Sequence, residues 1–184
     1  PDVAFGGGAS NLQKGMALLD VQLLTSSEEL EALQSDGRPV VGLFADTTFP
    51  FVADAVEPDE ETGSTEEVPT LAQMVESAID LLSANEDGFL LVVESARIDH
   101  ASHSNLASKA HPETAAFDEA VAVAMAWADA QAQALPELEV TLLVTADHEC
   151  GGMEVTAGTA AGEIPVTDWR WGDHTNADVP VVGR

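Results

Sequence analysis

Basic residues and cysteine are scarce in this chain, and each shortage narrows what it can do. Lys and Arg together number 6 against 33 Asp and Glu, a formal net charge of −27. A surface this acidic repels nucleic acid and anionic membranes, which excludes both as partners. It also repels a phosphate substrate unless bound cations reverse the local sign. Cys150 is the only cysteine, so an internal disulfide framework is excluded. No apolar run approaches the ~20 residues of a membrane-spanning helix. An initiator Met and a signal-peptide pattern are both lacking at the opening Pro1-Asp2-Val3. That start reads as the start of a processed or truncated product.

What remains is enough to fold. Hydrophobic residues make up 45% of the 184, sufficient for one core or a large piece of a bigger domain. The excess of like charge destabilises a compact state at low salt. At about 1 M salt the Debye length falls to about 3 Å and the repulsion is screened. The composition therefore reads as adaptation to salt.

The apolar pattern alternates between strand and helix periods. Ser26-x-x-Glu29 is a capping-box signature that opens a short helix through about Leu33. Pro39 to Ala45 reads as a buried strand. The acidic stretch from Asp54 to Glu67 reads as an exposed excursion. From Thr70, the residues Leu71, Met74, Val75, Ala78, Ile79 and Leu82 form one apolar helical stripe. Phe89 to Glu94 reads as the next strand, Pro112 to Leu135 as a second long helix, and Thr141 to Ala146 as a third strand. Val179 to Val182 is a candidate fourth strand, which Pro180 confines to an edge or a strand end. Alternating strands and helices imply an α/β fold, a mainly parallel sheet with helices on both faces. Ligands of such sheets bind just beyond the carboxyl ends of the strands.

Those ends carry the chemistry. Glu94-Ser95-Ala96-Arg97-Ile98-Asp99-His100-Ala101-Ser102-His103 follows one strand, and Asp147-His148-Glu149-Cys150-Gly151-Gly152 follows another. Gly172-Asp173-His174-Thr175 comes late in the chain. Four of the five histidines fall in these segments. Without a set of thiolates, zinc is bound by such imidazoles and carboxylates. Asp99 and His103, four apart, share a face if the segment turns helically. Asp147 and His148 can converge on one ion or serve two. An Asp-His pair in a loop is also a common hydrogen-bonded structural pair, so the case rests on the segments together. Cys150, beside His148, is a candidate zinc ligand but reads first as a packing residue, and His111 before Pro112 reads as a surface or helix-entry residue. Trp169 and Trp171 read as packing on a loop edge, with lining of the site mouth as the alternative. The run Gly6-Gly7-Gly8 lacks the Lys-Ser/Thr of a P-loop and reads as a tight turn.

In order, these segments resemble the alkaline phosphatase family. The matching residues are Phe5 to Gly8, Gly42 to Asp46, Pro69 to Met74, Val93-Glu94 with Ile98-Asp99 and His103, Thr145 to His148 with Gly151-Gly152, and His174-Thr175 with Val179-Pro180-Val181. The resemblance covers nearly the whole chain as the carboxyl-terminal portion of one domain, 1–184, with variable surface loops at 47–68 and 153–171. It implies hydrolysis of phosphate monoesters through a phosphoenzyme, with two Zn2+ and one Mg2+. By the same resemblance Asp99, His103 and His174 are the ligands of the first zinc, and Asp147 and His148 are two ligands of the second. Glu94 is a magnesium ligand, and His100 reaches phosphate through water. Two such ions about 4 Å apart suit an in-line displacement.

The resemblance also implies parts that this sequence does not hold. The family's Asp-Ser/Thr-Ala nucleophile, an early metal-bridging aspartate and a phosphate-clamping arginine match no position here. The expectation is a portion of a longer enzyme, inactive and poorly folded alone, whose amino-terminal half is supplied elsewhere. The alternative is a non-catalytic metal-binding module on the same scaffold. A related phosphodiesterase, sulfatase or phosphoglycerate isomerase activity is a third reading, which the contexts of Asp147-His148-Glu149 and His174-Thr175 disfavour. The family implies a homodimer, and family and charge together imply a periplasmic or secreted location.

Overall fold

The computed structural model describes residues 2–16, 18–54, 68–135 and 137–184. They fall into two compact units, Pro1–Val93 and Glu94–Arg184. The chain is of the α/β class, as its pattern predicts.

The first unit is built on a parallel sheet. Strand β1 (Val3–Gly6) leads to helix α1 (Ala9–Met16), then β2 (Gln22–Leu24), α2 (Ser27–Glu31), β3 (Val40–Leu43) and α3 (Leu71–Leu82). The order is β1-β3-β2, with Val40 opposite both Val3 and Gln22. A central parallel strand is covered on both faces, which explains the unbroken apolar sequence of β3 and the burial of Val40, Leu43 and the following Phe44. Val40 and Phe44 pack with Leu24, Leu30 and Met74 into the core. The α3 stripe meets the expectation, with Met74, Val75, Ala78 and Ile79 buried.

Both helix starts are capped by side chains. Thr70 Oγ1 accepts from the Gln73 amide at 3.1 Å while Gln73 Oε1 accepts from the Thr70 amide at 2.9 Å, a complete capping box. At α2, Ser26 Oγ accepts from the Glu29 amide at 3.1 Å, but the Glu29 carboxylate turns to the Thr25 amide at 2.6 Å. After β1, Gly8 takes φ +93°, so the glycine run is a turn, as expected. The acidic excursion lies, apart from Asp54, outside the described residues, and so does most of the expected 47–68 loop.

The second unit begins with a short helix, α4 (Arg97–His103), and a long one, α5 (Ala107–Ala134). Small buried residues, Ala101, Ala110, Ala120 and Ala128, line them. Helix α5 starts before Pro112 rather than at it. His111 Nδ1 and Thr114 Oγ1 bond the carbonyls of Ala107 and Ala110 at 2.8 Å each, side-chain bonds around a residue that has no amide hydrogen to give.

Strands β4 (Leu143–Thr145), β5 (Glu149–Cys150), β6 (Met153–Ala157), β7 (Val166–Trp169), β8 (His174–Thr175) and β9 (Val181–Gly183) complete this unit. They pair antiparallel as β4-β9, β5-β8 and β6-β7. Strand β9 begins just past Pro180, as a residue without a ladder donor requires. Segment 153–171 contains a β-hairpin, β6 and β7. Phe89 to Glu94 is not a strand among the described residues. An apolar run becomes one only beside a strand it can bond, and no described strand pairs with it. Leu90 and Val92 are 86% and 81% exposed.

Candidate metal centre

Helix α4 positions the first pair of donors. Asp99 and His103 sit one turn apart on it, so their side chains share a face. Asp99 Oδ2 lies 3.3 Å from His103 Nε2. Strand β8 brings in His174, whose Nε2 lies 3.4 Å from Asp99 Oδ1 and 3.1 Å from His103 Nε2. The resemblance assigned these three residues to one ion, and the fold brings them together.

A backbone contact sets the orientation of His103. Its Nδ1 lies 2.8 Å from the Gly172 carbonyl oxygen, which only accepts, so Nδ1 carries hydrogen and donates. In the neutral ring Nε2 is then left with its lone pair facing Asp99 and His174, the arrangement a metal-binding imidazole needs. The Gly172 carbonyl, helped by the carboxylates of Asp99 and Asp173, raises the His103 pKa above its ordinary value. Asn105 braces the same loop from the left-handed conformation at φ 56°. With its amide oriented to suit its neighbours, its nitrogen donates to the carbonyls of Ser102 and Trp171 at 3.1 and 2.8 Å.

The other assigned residues are placed differently. His148 stacks on His174 with ring centroids 3.5 Å apart, and its Nε2 lies 3.2 Å from Asp147 Oδ2. Asp147 itself is 87% exposed. Glu94 is exposed at the end of the Phe89 to Glu94 segment and is not part of the cluster. His100, half-buried on α4, accepts from the Arg97 guanidinium at its Nδ1, 3.0 Å away. His111 lies on α5, bonded to the Ala107 carbonyl and outside the cluster, and Trp171 is exposed rather than packed.

Cys150 is the residue that sequence reasoning set aside. Its sulfur and one donor atom each from Asp99, His103 and His174 all lie within 4.8 Å of one another. The only sequence signal was its place two residues after His148. Burial pushes its thiol up to about 12, reinforced by a hydrogen bond to Asp99, so it is protonated at neutral pH when no cation is bound. Next to it, Gly151 has φ +87°, and a Cβ there would meet the Trp169 ring at 2.5 Å. Trp169 thus packs onto the turn that carries Cys150. Within the same turn, Glu149 accepts from the Gly152 amide at 2.9 Å and from the Thr175 hydroxyl.

The donor set suits a divalent cation. Asp99 Oδ1 and His148 Nδ1 are buried atoms without a hydrogen-bond partner, an arrangement that costs free energy unless something else satisfies it. Two imidazole nitrogens 3.1 Å apart beside that carboxylate supply the nitrogen and oxygen donors that zinc takes.

Comparison with known proteins adds the following. A family model for alkaline phosphatase matches residues 2–181. Alkaline phosphatase H of Pseudomonas aeruginosa is 31% identical over 190 residues, covering 88% of this chain and 39% of the relative. Escherichia coli alkaline phosphatase is 33% identical over 189 residues, covering 87% and 39%. Among solved structures, alkaline phosphatase from the Antarctic bacterium TAB5 superimposes with a TM-score of 0.77 at 23% identity, covering all of this chain and 53% of the other. A cold-active alkaline phosphatase from Shewanella sp. gives 0.65 at 30% identity, covering 85% and 36%. The chain thus spans about two fifths of the length of the curated bacterial relatives described, 39%.

Proposed function

We infer function from one premise: this chain belongs to the alkaline phosphatase family. The activity we propose is metal-dependent hydrolysis of phosphate monoesters through a covalent phosphoenzyme, by a protein of which this chain is the carboxyl-terminal portion. The observation that carries this reading is the convergence of Asp99, His103 and His174 on a single point.

In this reading Asp99, His103 and His174 hold the first of two zinc ions. Asp147 and His148 hold the second with a ligand from outside the chain, and Glu94 serves a magnesium ion. When bound, the cations supply Lewis-acid charge that neutralises phosphate oxygens within a background of −27. The chain's own residues fix the geometry. Gly172 holds the His103 tautomer, His148 and His103 flank the His174 ring, and Asp99 faces both His103 and His174. Arg97 donates to His100 Nδ1, which leaves Nε2–H to donate toward a water on the phosphate. The serine or threonine nucleophile comes from a segment outside these 184 residues. A covalent phosphoenzyme divides one hard hydrolysis into two easier displacements.

Assembly as a homodimer, a periplasmic or secreted location and salt adaptation belong to the same proposal. The acidic composition supports the last, and activity that falls steadily from low to molar NaCl would refute it. The exposure of Leu90, Val92, Leu143, Val181 and Val182 supports the expectation that the 184 residues alone aggregate. A cooperative thermal transition of that piece alone would count against it.

A second reading, a non-catalytic metal-binding module, is favoured by the exposure of Glu94 and Asp147, which leaves one donor cluster among the described residues. Intact mass and a chromogenic phosphate monoester assay separate the two. The enzyme reading expects a mass well above 19.2 kDa, turnover that a chelator abolishes and zinc restores, and little action on a diester or sulfate analogue. A protein that binds zinc without turnover is the module.

A further inference from the structure

We propose that Cys150 Sγ is a fourth protein donor to the cation held by Asp99, His103 and His174, giving this centre a preference for thiophilic divalent ions. The inference rests on the metal-centre reading above and adds a donor to it. It begins with strand register. Strands β5 and β8 pair antiparallel with Cys150 directly opposite His174. Opposed residues of such a pair point to the same face with Cβ atoms about 4.5–5.5 Å apart, so a thiol at this position faces whatever His174 faces. His174 faces Asp99 and His103 from β8, and the four donor atoms fall within 4.8 Å of one another.

Three further observations show that this point is prepared for a cation. Asp99 Oδ1 is buried with no hydrogen-bond partner. The Nε2 atoms of His103 and His174 are 3.1 Å apart. Gly172 holds the His103 tautomer that leaves its Nε2 unprotonated in the neutral ring. A carboxylate, two imidazoles and a thiolate are all donors that zinc takes, and expansion to a fifth position would leave room for a phosphate oxygen. A sulfur donor tilts selection toward soft ions such as Cd2+ and away from Mg2+ and Mn2+. On binding, the S–H bond breaks, the sulfur electron pair goes to the metal, and the proton leaves to solvent.

Cobalt reports the thiolate without reference to activity. The full-length protein is stripped with a chelator, reloaded with Co2+ and followed by absorption. Visible ligand-field bands show that the ion is bound, and a near-ultraviolet thiolate-to-cobalt charge-transfer band shows that sulfur binds it. The expected result is both bands in the parent protein, and ligand-field bands alone in Cys150→Ser. Cd2+ affinity of that variant should fall about tenfold or more while Mg2+ affinity is unmoved. Should Cys150→Ser fail to fold, alkylation of the parent protein followed by peptide mass mapping replaces it. Cys150 is then expected to be protected by Zn2+ or Cd2+ and labelled in their absence. Ligand-field bands without the charge-transfer band overturn the role of Cys150 and leave the three-donor centre standing. Absence of any cobalt band overturns both.

Discussion

Replacing Asp99 by Asn should move metal affinity and metal-free stability in opposite directions. The Asp99 carboxylate faces His103 Nε2 at 3.3 Å through Oδ2 and His174 Nε2 at 3.4 Å through Oδ1, and Oδ1 is buried without a hydrogen bond. Asn keeps the shape but loses the charge and one oxygen donor. Its amide nitrogen can instead donate to an imidazole nitrogen. A buried unsatisfied acceptor costs ~1–3 kcal/mol, and the low end applies because the side chain is 33% exposed. The metal-free variant is therefore expected to match or exceed the parent in stability, by up to about 1 kcal/mol. Structural zinc binding contributes about 10–16 kcal/mol over four donors. One donor's share is roughly 2.5–4 kcal/mol, or about 100- to 1,000-fold in affinity. The assay is thermal unfolding of the full-length protein with and without a fixed excess of Zn2+, where the bound ion adds RT ln(1 + [L]/Kd). The zinc-induced rise in Tm should shrink or vanish in Asp99→Asn, while the metal-free Tm holds or rises. An unchanged zinc-induced rise would refute the ligand assignment. An equal drop with and without zinc would mean that Asp99 is only a structural residue.

Other perturbations test neighbouring parts of the account. Thr70→Ala removes half of the α3 capping box and should cost about 1 kcal/mol by urea unfolding, with metal affinity unchanged. Gly151→Ala imposes a side chain at φ +87° and drives a Cβ into the Trp169 ring, so it should weaken zinc binding at least as much as it lowers Tm, measured by calorimetry. The His103 pKa is raised above the ordinary 6.5 by the Gly172 carbonyl. A group raised on folding contributes stability that is fully present below the unfolded value and lost as pH rises through the folded one. The metal-free protein should therefore lose this contribution on passing upward through that window. NMR titration of His103 should report a value above 6.5, and a value below it would contradict the Gly172 contact.

Local sequence carried part of this structure and tertiary pairing carried the rest. The stripe from Leu71 to Leu82 was legible because a helix expresses its own period, and Thr70-x-x-Gln73 marks its start in four residues. Asp99 and His103 were legible as a pair for the same reason, since i and i+4 meet on any helix. Their meeting with His174 was not derivable from spacing. It depends on β5-β8 pairing across a segment of more than twenty residues, and it came from resemblance. The role of Phe89 to Glu94 was misjudged because composition reports what a strand is made of and not whether a neighbour exists to bond it. The β6-β7 hairpin was missed because Gly162 and the short Val166–Trp169 run are weak signals beside an acidic, exposed surround. Cys150 was read as packing because the resemblance puts a non-ligand residue such as Thr at its place, and only the register opposite His174 brings it to the cluster.

The most direct test is a crystal structure of the full-length protein grown with zinc, with anomalous data collected on both sides of the zinc edge. The account predicts an anomalous peak about 2.0–2.3 Å from a carboxylate oxygen of Asp99 and from the Nε2 atoms of His103 and His174. A zinc-replete protein with no peak among these three residues would contradict it.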